Sequence, residues 1–560
     1  MAGTIYTPIT LWQDFSYELP VSEGVISEYE ENGIIYKNVY VSGKRTNVGQ
    51  VKIYGLSARK KTAKKCSAIL ILPNYTKTVS KEVVTYFAKQ GYQAFMIDYG
   101  GMYGDKEYYT AYPEDIAYAN ASEDRDAIHR IATDVKNTCW YEWTSVARYA
   151  FYYLTHQKDV NGVGVLGIKH GATIAWQLAA TEKDIKCMTV AFGTGWRAYR
   201  GYNKFSDKNE PEFDDELYRY LGAVEPQAYA KYVNCPTMLV TSTNNAYFDA
   251  DRAYDTIVRV DEKHDTLFNY AVQCDKQLDK KAIKNIDVFF KKYLGGSEID
   301  IPKEIEISAE VVNGSIEIKV KYSSHQITDL MLYSAEETIN PSMRCYNMNA
   351  EIISEEANQT TFKYEPYKKS GIAFFFAQAT YSTGFTICSK IIAKRFEEDE
   401  IYNNNISSII YSAKENKYLL QPYIKDEESF DFLEDWANEI VVKQGPMNIN
   451  GITCKGGIKS LKINNLKGKP KDQALFMLDI YSKNGDKIKV TLITDMYKES
   501  ETEYFMKSEI KKGEVWHNLV IPINKFKTQE GMLLKSYQNV NAIVIESEND
   551  DYLINNVMWI

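Results

Sequence analysis

The sequence predicts a multidomain chain: a mainly parallel β-sheet with helices on both faces, followed by two all-β sandwiches. Three observations carry this. Between residues 33 and 293, apolar β-rich runs alternate with longer segments of helical period. From about residue 301 onward, short alternating runs follow one another with no helical spacer. The chain has 560 residues, more than one hydrophobic core holds, and at roughly 150 residues per domain three units are expected. Their expected spans are 1–298, 299–397 and 398–560.

In the first unit a hairpin is expected from IIYKNVYVSG and VGQVKIYGLS. Six further strands follow: SAILILP (67–73), YQAFMIDY (92–99), VGVLGI (163–168), CMTVAFG (187–193), PTMLVTST (236–243) and LFNYAVQ (267–273). Helices are expected at 82–90, 140–154, 171–180, 249–258 and 281–293. Residues 194–232, rich in aromatic and acidic side chains, interrupt this rhythm and read as a cap-like insertion.

At Gly295-Gly296 the pattern changes. The runs IEIKVKYS, DLMLYS, TTFKYEP and IAFFFAQATYS read as a sandwich of the immunoglobulin type. A charged joint, FEEDEIYNNN (396–405), leads to strands in SLKINNL, ALFMLDIYS, KIKVTLITD, TEYFMKSEI, WHNLVIPINKF, AIVIES and YLINNVMWI. Trp516 with Leu519 to Pro522 and Phe526, and the closing run from Tyr552 to Ile560, resemble the galactose-binding-like jelly roll of carbohydrate-binding modules. These patterns report a core. A sugar site would need solvent-facing aromatics, with Trp516, Tyr504 and Trp559 as candidates.

Composition excludes several classes. A net charge of −9 and balanced basic and acidic runs argue against sequence-independent nucleic-acid binding. The opening MAGTIYTPITLWQDFSYELP has no basic then apolar leader pattern, and no apolar run is long enough to span a bilayer. Export and membrane partners are therefore not expected. The eight cysteines are scattered singly, which fits reduced thiols in a cytoplasmic protein. No zinc, calcium, dinucleotide or P-loop spacing occurs, so no metal and no cofactor is expected.

The chemistry lies in Gly167-Ile168-Lys169-His170-Gly171, between VGVL and the helical ATIAWQLAA. This is the glycine frame of the G-x-S-x-G elbow, in its strand–turn–helix context. On these residues the first unit resembles an α/β-hydrolase, and Cys139 to Thr144 and Gly195 to Arg200 resemble the dienelactone-hydrolase and acetylxylan-esterase branch. The resemblance implies a nucleophile at position 169, which holds lysine; a protonated amine has no lone pair for attack. It implies an acid in Ser242-Thr243-Asn244-Asn245-Ala246-Tyr247-Phe248, where Asn245 stands, and a base in Cys274-Asp275-Lys276-Gln277-Leu278-Asp279, where Lys276 stands. An amide cannot stabilise an imidazolium by charge. The oxyanion positions would be Asn74 and Tyr75, in a loop without glycine, and the backbone of His170.

No catalytic residue is therefore expected, and ordinary Ser-His-Asp chemistry is excluded. The leading expectation is a pseudo-enzyme that acts in binding, scaffolding or self-assembly, with a protein or carbohydrate partner. Lys169, Lys276, Tyr75, Trp196 and Tyr247 are the expected lining of the former pocket, with Arg197 and Arg200 beside it. The alternative is an esterase with a displaced site, for which Cys274, Asp249 and Asp251 are candidates; each aspartate equally suits an N-cap. Self-assembly into filaments through β-edges is a third reading.

Overall fold

The computed structural model describes residues 4–122, 127–207, 211–323, 326–367, 370–397, 409–413, 420–424, 439–464 and 469–560. His325 and most of the charged joint lie outside them.

The first region contains α1 (Pro8–Trp12), β1 (Glu23–Glu31), β2 (Ile34–Arg45), β3 (Gln50–Lys60), β4 (Cys66–Leu72), α2 (Lys81–Gln90) and β5 (Gln93–Ile97). It continues with α3 (Cys139–Thr155), β6 (Val160–Ile168), α4 (His170–Thr181), β7 (Ile185–Ala191), α5 (Asp215–Ala223) and α6 (Pro226–Tyr229), then β8 (Thr237–Ser242), α7 (Ala250–Ile257), β9 (Thr266–Ala271) and α8 (Lys280–Tyr293). One nine-stranded sheet runs β1-β2-β3-β5-β4-β6-β7-β8-β9. Strands β4 to β9 are mutually parallel, and β1 to β3 join antiparallel at one edge. This is an α/β-hydrolase-like sheet.

The expected hairpin is in fact a three-stranded meander. Strand β1 escaped detection because nearly all of its residues face solvent, so EGVISEYEE has no apolar alternation to read. The parallel strands behave oppositely. Residues 69–72 and all of β5 are buried on both faces, as near-continuous apolar runs require. The cap-like insertion folds as α5, α6 and short 3₁₀ turns between β7 and β8.

All-β regions follow. Strands β10 (Glu306–Val312), β11 (Ser315–Lys321), β12 (Ile327–Glu336), β13 (Glu351–Glu356), β14 (Gln359–Tyr364), β15 (Ser370–Tyr381), β16 (Thr386–Cys388) and β17 (Ile392–Glu397) make two antiparallel sheets. Ile316, Ile318 and Phe362 of one pack in the same core as Phe375, Ala377 and Ile387 of the other.

Beyond them lie β18 (Ile409–Ser412), β19 (Leu420–Pro422), β20 (Val441–Gln444), β21 (Asn450–Thr453), β22 (Ile458–Ser460) and β23 (Phe476–Tyr481). The chain ends through β24 (Asp486–Thr494), β25 (Thr502–Ile510), β26 (His517–Ile521), β27 (Val540–Ser547) and β28 (Leu553–Trp559). These form a six-stranded and a five-stranded sheet around one core, which includes Trp559. SLKINNL is not a full strand: pairing stops at Ser460, and Lys462–Asn464 is a 3₁₀ turn.

Candidate functional site

The elbow forms where β6 passes into α4. Lys169 sits between them at φ 55°, ψ −116°, a backbone conformation strained for any residue with a side chain. Its N–H donates to the Ala191 carbonyl (2.8 Å), which ties the turn to β7. Gly171 is required by close approach: a Cβ there would lie 2.1 Å from the Leu72 carbonyl oxygen and 2.3 Å from that of Pro73. The turn that presents a nucleophile in an esterase is thus intact, and it presents an ammonium.

Around it the loop after β4 is packed shut. The Tyr75 ring is buried, stacked on Trp143 at 5.3 Å and edge-on to His170 at 4.9 Å. Asn74 Nδ2 donates to Thr76, so its Oδ1 accepts from His170 Nδ1 (2.8 Å). His170 is therefore oriented as part of this packing. His129, from the 3₁₀ turn Ala127–His129, lies nearly parallel to it at 5.7 Å, with Nδ1 3.0 Å from the Tyr220 hydroxyl. Burial, and then the charges of His170, Arg197 and Arg200, push the His129 imidazole far below its usual pKa. Sequence reasoning missed His129 as a member of this site, because its segment has no helical or strand period.

The loops after β8 and β9, where a hydrolase carries its acid and histidine, have become joints. Asn245 Nδ2 donates to the Asp275 carbonyl (2.8 Å), and its Oδ1 accepts from the N–H groups of Tyr247 (2.8 Å) and Phe248 (3.2 Å). The amide ties its own loop to the one after β9. Asn244 Nδ2 donates to the Arg344 carbonyl (2.7 Å), and Gln273 Nε2 to the Tyr346 carbonyl (3.1 Å), both in the next region. The Asp275 carboxylate accepts from Tyr497 (3.2 Å) and lies 3.5 Å from Lys459 Nζ, in the last region.

The displaced-site candidates are committed too. Cys274 is buried, and burial pushes its thiol well above the ordinary pKa. Asp251 forms a fully buried two-pronged ion pair with Arg344. Asp249 caps α7 by accepting from the Asp251 N–H (2.9 Å). Burial, and then the neighbouring Asp251 charge, raise Asp249 to about 6.

A carboxyl raised from 3.8 in this way binds more protons folded than unfolded between about pH 4 and 6. Its contribution is therefore most favourable below that window and is lost as pH rises through it. Asn caps helices as well as Asp does. Asp249→Asn is accordingly expected to leave stability unchanged at pH 4 and raise it by about 1–2 kcal/mol at pH 8, read from urea midpoints.

Two neighbouring spaces share part of their lining. The inner one, about 50 Å³, is lined by Lys169, His170, His129, Asn74 and Tyr75, and by Arg197, Asn245, Tyr247 and Lys276. The last four also line an outer cleft of about 870 Å³, where Trp196 lies. The expected pocket residues thus divide: Lys169 and Tyr75 inside, Trp196 outside, Tyr247 and Lys276 at the junction. The outer cleft is built from all three parts of the chain, including Ser342, Tyr423 and Tyr497.

Residues 53–267 match the Dienelactone hydrolase family. The match lies within the nine-stranded sheet region and covers the elbow and the joint loop after β8, ending at the start of β9.

Among solved structures, an acetyl xylan esterase from a Paenibacillus species is 14% identical, covering 51% of this chain and 92% of its own, with a TM-score of 0.39. Acetyl xylan esterase 1 from a Thermoanaerobacterium species is 12% identical over 52% and 95%, with a TM-score of 0.40. A putative dienelactone hydrolase from Klebsiella pneumoniae is 13% identical over 48% and 100%, at 0.32. A search of curated proteins returns no match. Among the described residues no helix is long and apolar enough to cross a membrane, and no group of three or more His, Cys, Asp or Glu could hold a metal ion.

Proposed function

We propose that this chain is a catalytically silent relative of the dienelactone-hydrolase-like esterases, whose hydrolase sheet serves as the base of a three-part binding body. The observation that carries this reading is Asn245. Its amide oxygen accepts from its own loop and its Nδ2 donates to the loop after β9, so the acid position holds a neutral amide tied into both loops and no carboxylate that could charge-stabilise a base. An ammonium at the elbow and a lysine in the histidine loop agree with it. The space left at the elbow, about 50 Å³, is small beside the roughly 300–1,000 Å³ of small-molecule sites.

The appended regions belong to the same reading. We take the first as an immunoglobulin-like sandwich and the second as a galactose-binding-like one, each widening the surface around the former active site. All eight cysteines are buried without disulfides, which supports a reducing compartment.

Ester cleavage tests the reading. Hydrolysis of p-nitrophenyl acetate and of acetylated xylo-oligosaccharides is expected at the buffer rate, unchanged by Lys169→Ala. Cleavage that depends on Lys169 overturns it.

A further inference from the structure

Five basic and four acidic side chains line the outer cleft, so its charges nearly balance, and each of them is already engaged. Asp275 meets Lys459 at 3.5 Å, Asp249 meets Arg252 at 3.3 Å and Lys498 meets Asp495 at 2.8 Å. Glu501 accepts from the Tyr497 N–H at 2.6 Å, and Glu503 lies 3.9 Å from Lys489 Nζ. Arg197 and Arg200 stand 5.4 and 5.7 Å from the centre of the Tyr247 ring, and Lys276 is engaged as well. A charged ligand would have to break such contacts to gain a partner of its own. The cleft therefore suits a neutral one.

What it offers instead is rings. Tyr202 from the cap-like insertion, Tyr247 from the loop after β8 and Tyr497 from the last region all line it, and each is 38% or 39% exposed. Tyr497 is fixed at both ends, since its N–H is held by Glu501 and its hydroxyl donates to Asp275 (3.2 Å). A rigid ring loses little freedom when a ligand covers it. The apolar wall residues Ile493 and Met496 are buried, so they form no pocket for the apolar anchors by which a peptide is gripped.

Gln277 also lines the cleft. It is only 2% exposed, and its Oε1 has no hydrogen-bond partner among the described residues. A buried amide left unpaired costs stability until something meets it. A hydroxyl both donates and accepts, so it satisfies this amide whichever end the side chain turns to the cleft.

We propose that the outer cleft binds a neutral oligosaccharide, with pyranose rings lying on Tyr202, Tyr247 and Tyr497 and a hydroxyl meeting Gln277. A pyranose joins a C–H face that packs on an aromatic ring to a rim of hydroxyls, which is the combination the cleft lacks. The volume of about 870 Å³ lies near the upper end of small-molecule sites, about 300–1,000 Å³, and favours several linked rings over one. This inference deepens the silent-relative reading and rests on it, since the sugar is held and released unchanged.

The test is calorimetry on the full chain with cellotetraose, xylotetraose, mannotetraose and maltotetraose, beside their monosaccharides, D-glucuronate and a neutral Gly-Ser peptide. At least one tetrasaccharide is expected to bind about tenfold more tightly than its monosaccharide, because each further stacked ring adds about three- to tenfold. Its affinity should not change between about 0.05 and about 0.5 M salt, because no ion pair forms. D-glucuronate should bind no better than D-glucose.

Tyr497→Phe keeps the ring and removes only the hydroxyl that Asp275 takes, so sugar affinity should be nearly unchanged. Tyr497→Ala and Tyr202→Ala should each lose about three- to tenfold, with unchanged far-ultraviolet circular dichroism. Gln277→Leu should lose about fivefold yet melt no lower than the parent, because it removes an unpaired amide. That variant and Tyr497→Phe decide the matter should an alanine variant fail to fold. Binding by none of the sugars, affinity that falls with salt, no loss in Gln277→Leu or in both folded alanine variants, or tighter binding by the peptide overturns the proposal. The esterase assay is read separately. Silence toward esters with no sugar binding removes this inference alone, whereas Lys169-dependent cleavage removes the silent reading whatever the calorimeter records.

Discussion

Replacing Arg344 with methionine is expected to destabilise the protein by about 3–5 kcal/mol, the cost of leaving one member of a buried ion pair without its partner. Both side chains of the Arg344–Asp251 pair are fully buried. The guanidinium meets both carboxylate oxygens, the carbonyls of Thr338 (2.8 Å) and Ile339 (2.7 Å) and the Tyr346 hydroxyl (3.2 Å), and lies 3.7 Å over the Phe374 ring. Without it, the Asp251 charge would stay in the core beside Asp249, whose pKa burial and that neighbour already raise.

Asp251→Leu alone should cost a similar amount, by stranding the guanidinium. The double variant Arg344→Met/Asp251→Leu should recover most of the loss, because an apolar pair carries no desolvation penalty. A double-mutant cycle is thus expected to give a coupling energy of about 5 kcal/mol or more, above the usual range for contacting residues because each single variant strands a buried charge. Unfolding should be followed by two probes, since a chain of several regions need not unfold in one step. Additive single effects would mean that the pair does not clamp α7 to the following β region.

How much of this was legible in the sequence depends on where each signal resides. The parallel strands and α2, α3, α4, α7 and α8 lie within a few residues of their expected spans, because burial on both faces of a strand, or on one face of a helix, leaves a local period. Strand β1 was invisible because it is exposed, and SLKINNL misled because its alternation continues into a turn.

At the site, the sequence pattern located the elbow and the two loops that carry Asn245 and Lys276, and the structure brings Lys169, Asn245 and Lys276 to one cavity. What those loops now do was not legible. Asn244 meets Arg344, and Asp275 meets Lys459 and Tyr497, across separations of 100, 184 and 222 residues. No local period encodes a joint of that kind. Asp251, which on sequence is either a displaced acid or a cap residue, is on structure neither: Asp249 is the cap, and Asp251 is half of the clamp.

The second large effect is expected at the elbow, where glycine and lysine should respond in opposite directions. Gly171→Ala should destabilise the protein by about 3 kcal/mol or more, beyond ordinary overpacking. The atoms its Cβ would strike are the Leu72 and Pro73 carbonyls, which are backbone and cannot swing aside. To admit a methyl group, α4 must lift from the end of β4, and Trp176, whose Nε1 donates to the Gly193 carbonyl at 2.9 Å, must move with it.

Lys169→Gly should instead stabilise the protein by about 1 kcal/mol. The backbone at φ 55°, ψ −116° costs a residue with a side chain about 1–3 kcal/mol, while glycine's greater freedom in the unfolded chain takes back about 0.5–1 kcal/mol. In an esterase such strain is retained because it holds the nucleophile above the sheet. Under the silent reading proposed above it has no catalytic return, and the packing of α4 against β4 and β7 is what holds the turn. Thermal or urea midpoints of the two variants decide the matter. A Lys169→Gly variant less stable than the parent would show that the lysine side chain contributes more to the fold than the strain removes, and that the elbow is maintained for its side chain and not for its backbone.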